Sequence, residues 1–408
     1  MHRLIYDWNT VDAAPAATTR VMLDDETLRD GLQSPSVRTP TIEQKIGILH
    51  LIDALGIETA DIGLPGAGPH VVRDVERLAR AIVDGRLRVA ANCAARTMIA
   101  DITPIIEVAQ RTGLAIECCT FIGSSPLRQY AEGWTIDRLQ RLTEAAVRHA
   151  VGAGLPVMYV TEDTTRADPD SLRALYSTAI RAGARRVCIA DTVGHATPAG
   201  ARAVVRFVQS IVEACGGGAG IDWHGHRDRD LAIENSLAAM EAGATRLHGA
   251  AIGIGERVGN TPMDVLLVNL VLMGRRDADL TRLPEYGRLV SEATGVPIPA
   301  NYPVIGRDAY RTATGVHAAA VIKAFRKNDP ELVDSVYSGV PAGLVGREQT
   351  IEIGPMSGRS NVIYWLERRG LPATDDCVDR IFAKAKSAKG VLTEADVRAC
   401  LAEAEAGG

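Results

Sequence analysis

No run in this chain approaches the ~18 consecutive apolar residues that a membrane-spanning helix needs. The seven cysteines include no Cys-x-x-Cys pair, and Cys118 and Cys119 lie side by side in an apolar stretch. They are expected to be reduced core thiols, which argues against a disulfide-framed secreted domain. No long basic run exists and the net charge is −5, so a nucleic-acid backbone finds no footing. The first residues, Met1-His-Arg-Leu-Ile-Tyr-Asp-Trp8, lack the apolar centre of a secretory signal. No internal repeat of fixed 20–50-residue period is present. These absences leave a cytoplasmic protein with neither a membrane nor a nucleic-acid partner as the expectation.

What remains is ordinary globular composition, 46% hydrophobic and 23% charged over 408 residues, long enough for a large core. After a loose arm expected at 1–20, short apolar runs alternate with amphipathic segments. Strands are expected near 21–28, 59–64, 87–94, 114–121, 157–162, 186–191, 220–226 and 246–252. Helices are expected near 41–55, 69–84, 98–112, 135–153, 170–182, 198–214, 230–242 and 262–274, with caps at Thr41, Thr135, Asp170 and Thr197-Pro198. Eight strand–helix units imply an α/β chain folded as a (β/α)8 TIM barrel over 21–275. An open doubly wound sheet is the fallback, but no Gly-x-Gly-x-x-Gly follows the first strand. Residues 276–408 read as a linker and smaller, mostly helical C-terminal subdomains, with helices near 315–327, 359–369, 375–388 and 393–405.

In such a barrel the residues at the C-terminal strand ends form the active site. Those ends carry Arg29 and Asp30, Glu162, Asp191 and Thr192, His224 and His226, then Glu256 and Asn260, whereas the strand interiors read as apolar. In Gly220-Ile-Asp-Trp-His-Gly-His226, residues i and i+2 share a face, which sets the two imidazoles roughly 6–7 Å apart at Cα. Asp30 adds a carboxylate, for a two-histidine, one-carboxylate metal site with open positions. The ligand set admits zinc, manganese, magnesium or iron.

Thr27-Leu-Arg-Asp-Gly-Leu-Gln33, Asp191-Thr-Val-Gly194, His224-Gly-His226 and Gly253-Ile-Gly-Glu-Arg-Val-Gly-Asn-Thr-Pro262 resemble the motifs of the barrel-type metal-dependent acyl-CoA condensing enzymes and lyases. That family includes homocitrate, isopropylmalate and citramalate synthases and hydroxymethylglutaryl-CoA lyase. The resemblance continues in Thr314-Gly-Val-His317 and Gly354-Pro-Met-Ser-Gly-Arg359. It implies that Asp30, His224 and His226 hold the metal and that Thr192 fixes the carboxylate of a 2-oxo acid. It also implies that Arg29, held by Glu162, stabilises the developing oxyanion, and that Glu256 and His317 move protons. Gln33 and Asn260 match further polar positions. Acetyl-CoA would be the co-substrate, and the protein a homodimer with a shared active site.

The stretch Gly123-Ser-Ser-Pro-Leu-Arg-Gln-Tyr130 is similar to homocitrate synthases, which implies that Arg128 binds a second anionic group on the 2-oxo acid, as in 2-oxoglutarate, oxaloacetate or phosphonopyruvate. Isopropylmalate or citramalate synthesis from a monocarboxylate 2-oxo acid is the alternative. Leu32 stands where many synthases have an acidic residue, which keeps a lyase open, although the loop 253–260 lacks the lyases' cysteine. A metal-stabilised barrel with a binding or regulatory role is the non-enzymatic alternative.

Overall fold

The computed structural model describes residues 4–11 and 20–406. Of the arm expected at 1–20, residues 1–3 and 12–19 lie outside the described residues, and Trp8–Thr10 form a short 3-10 turn capped by Asp7. Eight parallel strands close into a barrel: β1 (Met22–Asp25), β2 (Thr59–Asp61), β3 (Ala90–Arg96), β4 (Ile116–Gly123), β5 (Val157–Glu162), β6 (Arg186–Asp191), β7 (Gly220–Gly225) and β8 (Arg246–Gly249). β8 returns to β1 with Met22 opposite Arg246 and Asp25 opposite Gly249. The fold is the expected (β/α)8 barrel.

The surrounding helices are α1 (Ile42–Ala54), α2 (Pro69–Gly85), α3 (Ile99–Thr112), α4 (Pro126–Glu132), α5 (Ile136–Gly152), α6 (Pro169–Ala182), α7 (Pro198–Ala214), α8 (Ala232–Glu241), α9 (Met263–Leu272) and α10 (Leu283–Thr294). Local chemistry sets their starts. Thr41 and Gln44 form a reciprocal capping box on α1, and Thr135 and Thr197 cap α5 and α7. For α6 the expected cap, Asp170, is corrected to Asp168, whose side chain accepts from the Ser171 amide at 2.9 Å. Pro169 then takes the first helical position, where its missing N–H costs nothing.

The barrel interior differs from the apolar filling that the strand sequences suggest. Arg246 on β8 donates to Asp222 on β7 and to Glu117 across the barrel on β4, both at 2.6 Å. Arg186 donates to the other oxygen of Asp222 at 2.6 Å, and the His248 ring lies 3.0 Å from Asp222. Asp24 accepts from Asn92 at 2.6 Å. Burial opposes the charge of Asp222, but Arg246 and Arg186 outweigh it and hold the carboxyl far below its usual range. Charges this deep persist because each is paired.

α10 was not apparent in the sequence. It presents Leu283, Tyr286, Val290 and Ala293 to the interior, and the Tyr286 hydroxyl bonds the buried Asp25 and lies 3.1 Å from Thr27 Oγ1. One compact unit therefore comprises Pro15–Ala278 and Arg282–Pro297, extending past the boundary expected at 275. Among these described residues no helix is long and apolar enough to cross a membrane.

The other unit comprises Met1–Ala14, Asp279–Thr281 and Ile298–Gly408. It contains α11 (Gly315–Arg326), α12 (Pro330–Ser335), α13 (Arg359–Glu367), α14 (Asp375–Ser387) and α15 (Glu394–Ala406). Two short strands, β9 (Arg311–Thr312) and β10 (Thr350–Ile351), pair in parallel beside them. Val362, Leu366, Val378, Ile381, Val397 and Leu401 form its larger core, and Val321, Ile322, Val333 and Ile351 a second.

Candidate active site

A cavity of about 380 Å³ opens at the C-terminal strand ends of the barrel. Parallel strands deliver their last side chains to one rim, so residues distant in sequence meet there. His224 and His226 Nε2 lie 3.2 Å apart, and they are 3.6 and 3.5 Å from Asp30 Oδ2. That oxygen is buried without a hydrogen-bond partner. Two imidazoles and a carboxylate whose ligand atoms lie within 4.8 Å of one another suit a divalent metal. Burial, then the neighbouring imidazole of His224, pushes His226 down to about 4, which leaves a lone pair for coordination. Burial also opposes the charge of Asp30, but Arg29 and the two imidazoles outweigh it and hold the carboxyl below its usual range.

Glu26, His224 and His248 form a second close group. His248 is no ligand, however. Its Nδ1 lies 3.0 Å from Glu26 and its Nε2 3.0 Å from Asp222. Burial works against its charge, yet Asp24, Asp222 and Glu26 raise it to about 10. A doubly bonded imidazolium has no lone pair to offer.

Arg29 corrects a specific expectation. It is held by Glu26, by Asp61 at 2.7 Å and by Asp30 at 3.1 Å, and Glu162 is not a partner. Glu26 occupies the same turn and Asp61 ends the adjacent β2, whereas Glu162 ends β5 across the mouth. Glu162 instead lies 3.6 Å from Arg128. Burial raises its carboxyl above the usual range, with Arg128 opposing and Asp163 adding to the rise.

The loop after β8 folds tightly on itself. A Cβ at Gly259 would lie 1.7 Å from the Gly253 carbonyl oxygen, and one at Gly255 would lie 2.2 Å from Asn260 Nδ2. Only glycine permits that approach. Asn260 is buried, donates to the Ile254 carbonyl at 3.0 Å and leaves its Oδ1 without a partner. Glu256 and Gln33 are exposed residues on the cavity wall. Thr192 also lines it; its Oγ1 accepts from the Asp163 amide at 2.8 Å, which leaves its hydroxyl hydrogen available.

Residues 20–290 match the HMGL-like family. The chain belongs to the HMGL-like family. It is 33% identical over 380 residues to homocitrate synthase AksA of Methanopyrus kandleri, covering 90% of this chain and 87% of that protein. It is 31% identical over 393 residues to 2-isopropylmalate synthase of Pyrococcus abyssi, covering 94% and 78%. Among solved structures, hydroxymethylglutaryl-CoA lyase from Pseudomonas aeruginosa superposes with a TM-score of 0.56 at 20% identity, over 67% of this chain and 93% of that one. That last likeness concerns the fold.

Three residues given roles by the resemblance, Arg128, Asn260 and His317, are not among those that line the cavity of this HMGL-like barrel. Arg128 does not line it: its guanidinium lies 3.4 Å from Glu132 and 3.6 Å from Glu162, above the Trp134 ring. His317 belongs to the other unit, where it is exposed on α11 and stacks on Tyr337 with ring centroids 4.3 Å apart. Conversely, the sequence reading assigns no role to Glu26, Asp61 or His248, which the structure places beside Arg29 and His224. The signal for two of them was strand parity. Glu26 follows Asp24 by two residues and His248 follows Arg246 by two, as His224 follows Asp222, so all six share the inward face.

Proposed function

We propose that this protein condenses acetyl-CoA with a 2-oxo acid in a Claisen-type reaction and hydrolyses the thioester with water, releasing CoA and a 2-hydroxy acid that carries a new carboxymethyl group on C2. The observation that carries this reading is the meeting of Asp30, His224 and His226 with the Arg29 guanidinium in one cavity. Relatives named homocitrate synthase and 2-isopropylmalate synthase support it. Asp30, His224 and His226 would hold a divalent zinc, manganese, magnesium or iron ion. Bound there, such an ion would supply Lewis-acid polarisation of the carbonyl of a 2-oxo acid.

The other residues divide the remaining work. Thr192 donates its free hydroxyl hydrogen to the substrate carboxylate. Arg29, fixed by three carboxylates, offers a preorganised cation where negative charge develops on the attacked carbonyl oxygen. Glu256 and His317 act as the acid–base pair that takes a methyl proton from acetyl-CoA and serves the later hydrolysis. Gln33 adds to the polar wall, and Asn260 shapes the loop after β8 beside it through its bond to the Ile254 carbonyl. A cytoplasmic homodimer with a shared site belongs to the same reading.

Two observations bear on the side chain of the 2-oxo acid. The loop carrying Arg128 favours a second anionic group. The cavity wall of Leu64, Phe121 and Val160, with Arg128 outside the lining and engaged by Glu132 and Glu162, favours an uncharged one.

The test is thiol release from acetyl-CoA across a panel of 2-oxo acids, with product mass measured on metal-loaded protein. Release that depends on one class of 2-oxo acid is expected, and Asp30→Asn, His224→Ala and His226→Ala should abolish it together with metal binding. Full turnover and metal content in all three variants would overturn the assignment. If no 2-oxo acid elicits release, the binding-protein reading replaces the enzymatic one.

A further inference from the structure

We propose that Glu26, braced from beneath by His248 and Asp222, is the positioning residue of the metal centre, turning the His224 ring so that Nε2 is the atom offered to the ion. This rests on the metal reading above and goes one layer deeper. Glu26 is 2% exposed, and its carboxylate is held on three sides. Oε2 bonds Arg29; Oε1 lies 3.0 Å from His248 Nδ1 and 3.4 Å from His224 Nδ1. The far nitrogen of His248 lies 3.0 Å from Asp222, which Arg186 and Arg246 grip at 2.6 Å each. A chain of paired, buried groups thus runs from the barrel interior to the ring of one metal ligand.

The opposite edge of that ring faces the site, with Nε2 3.6 Å from Asp30 Oδ2 and 3.2 Å from His226 Nε2. A carboxylate on the remote nitrogen of a liganding imidazole selects its tautomer, fixes its orientation and raises its basicity. His226 has no such support: its Nδ1 is buried and has no hydrogen-bond partner. The two imidazoles are therefore unequal, and the oriented one is His224.

The experiment titrates Zn²⁺ against a chromophoric chelator for the wild type, His224→Ala, Glu26→Gln and His248→Gln at one pH, and records the Co²⁺ absorption spectrum of each. Glu26→Gln and His248→Gln should each bind Zn²⁺ about 10–100-fold more weakly than the wild type, the usual scale for an outer-shell partner, and with shifted Co²⁺ bands. A purely structural role would lower the melting temperature and leave affinity and spectrum unchanged. If the wild type binds no Zn²⁺, or His224→Ala binds it as tightly, the metal reading itself fails and takes the proposal with it. If His224→Ala loses the ion while Glu26→Gln keeps wild-type affinity and spectrum, the positioning role alone is overturned. Should the variants not fold, ¹⁵N-histidine long-range correlation spectra of the Zn²⁺-loaded wild type decide. A proton on His224 Nδ1 supports the proposal; a proton on Nε2 overturns it.

Discussion

Arg128 is the residue on which the substrate class turns. As it stands, its charge is shared between Glu132 and Glu162, at 3.4 and 3.6 Å, and Glu162 also lines the cavity. A second anion on the substrate would have to draw the guanidinium away from Glu162. Arg128→Ala should therefore lower kcat/KM for any dicarboxylate 2-oxo acid by about 2–4 kcal/mol, mostly through KM, as a charge-assisted contact is lost. Pyruvate and 2-oxoisovalerate should change little, and lysine should recover only part of the loss because it cannot present two parallel donors. Steady-state kinetics over both classes checks this; equal effects on every 2-oxo acid would rule out an anion contact. Legibility at this scale followed the strand rim. Asp30, His224 and His226 could be read as neighbours because each lies at or just past the C-terminal end of a strand, and the two histidines share parity. The partners of Arg29 were not read, although a (β/α)8 order already sets β2, with Asp61, beside β1 and β5, with Glu162, across the mouth.

At the scale of elements, the eight strands and the helices between them were legible because period-2 runs and period-3.6 stripes alternate and most helices announce their caps. α10 was hidden by the charged stretch Arg275–Arg282 before it and by the absence of a capping side chain. What docks it is a buried polar contact: Tyr286 donates to Asp25 at the end of β1. Burial pushes the Asp25 carboxyl up to about 7, with Asp24 adding to the rise and hydrogen bonds from Thr27 and Tyr286 opposing it. A carboxyl raised in the folded state contributes stability that is complete below its unfolded value of about 3.9 and is lost as pH climbs through about 7. Urea unfolding between pH 4 and 8 should show the wild type losing stability relative to Asp25→Asn, which does not titrate. Tyr286→Phe removes one lowering hydrogen bond, so it should shift that loss to higher pH and cost about 1–3 kcal/mol at neutral pH. Identical pH slopes in wild type and Asp25→Asn would refute this account.

For the whole molecule, the chain divides into a barrel unit that contains the candidate metal ligands and a second unit that contains His317. Its composition and strand–helix beat revealed the barrel, but the bounds of the second unit depend on tertiary contacts such as the docking of α10, which no local pattern encodes. The His317 imidazole is exposed on α11 and stacked on Tyr337, available to a molecule outside its own unit. The proposed role is proton transfer, so His317→Ala should lower turnover by about 100-fold or more, the scale of a lost general acid–base group, while 2-oxo acid binding is retained. Asp30→Asn should fail for a different reason, by losing the metal. If the proposed homodimer shares its sites, each mixed dimer of the two variants contains one site with both residues intact. Unfolding and refolding the two variants together should then return up to about one quarter of wild-type activity, because random assembly makes half the dimers mixed and each has one of two sites whole. Tagged subunits verify that hybrids form. Mixed dimers as inactive as either parent would show that His317 serves the barrel of its own chain or none.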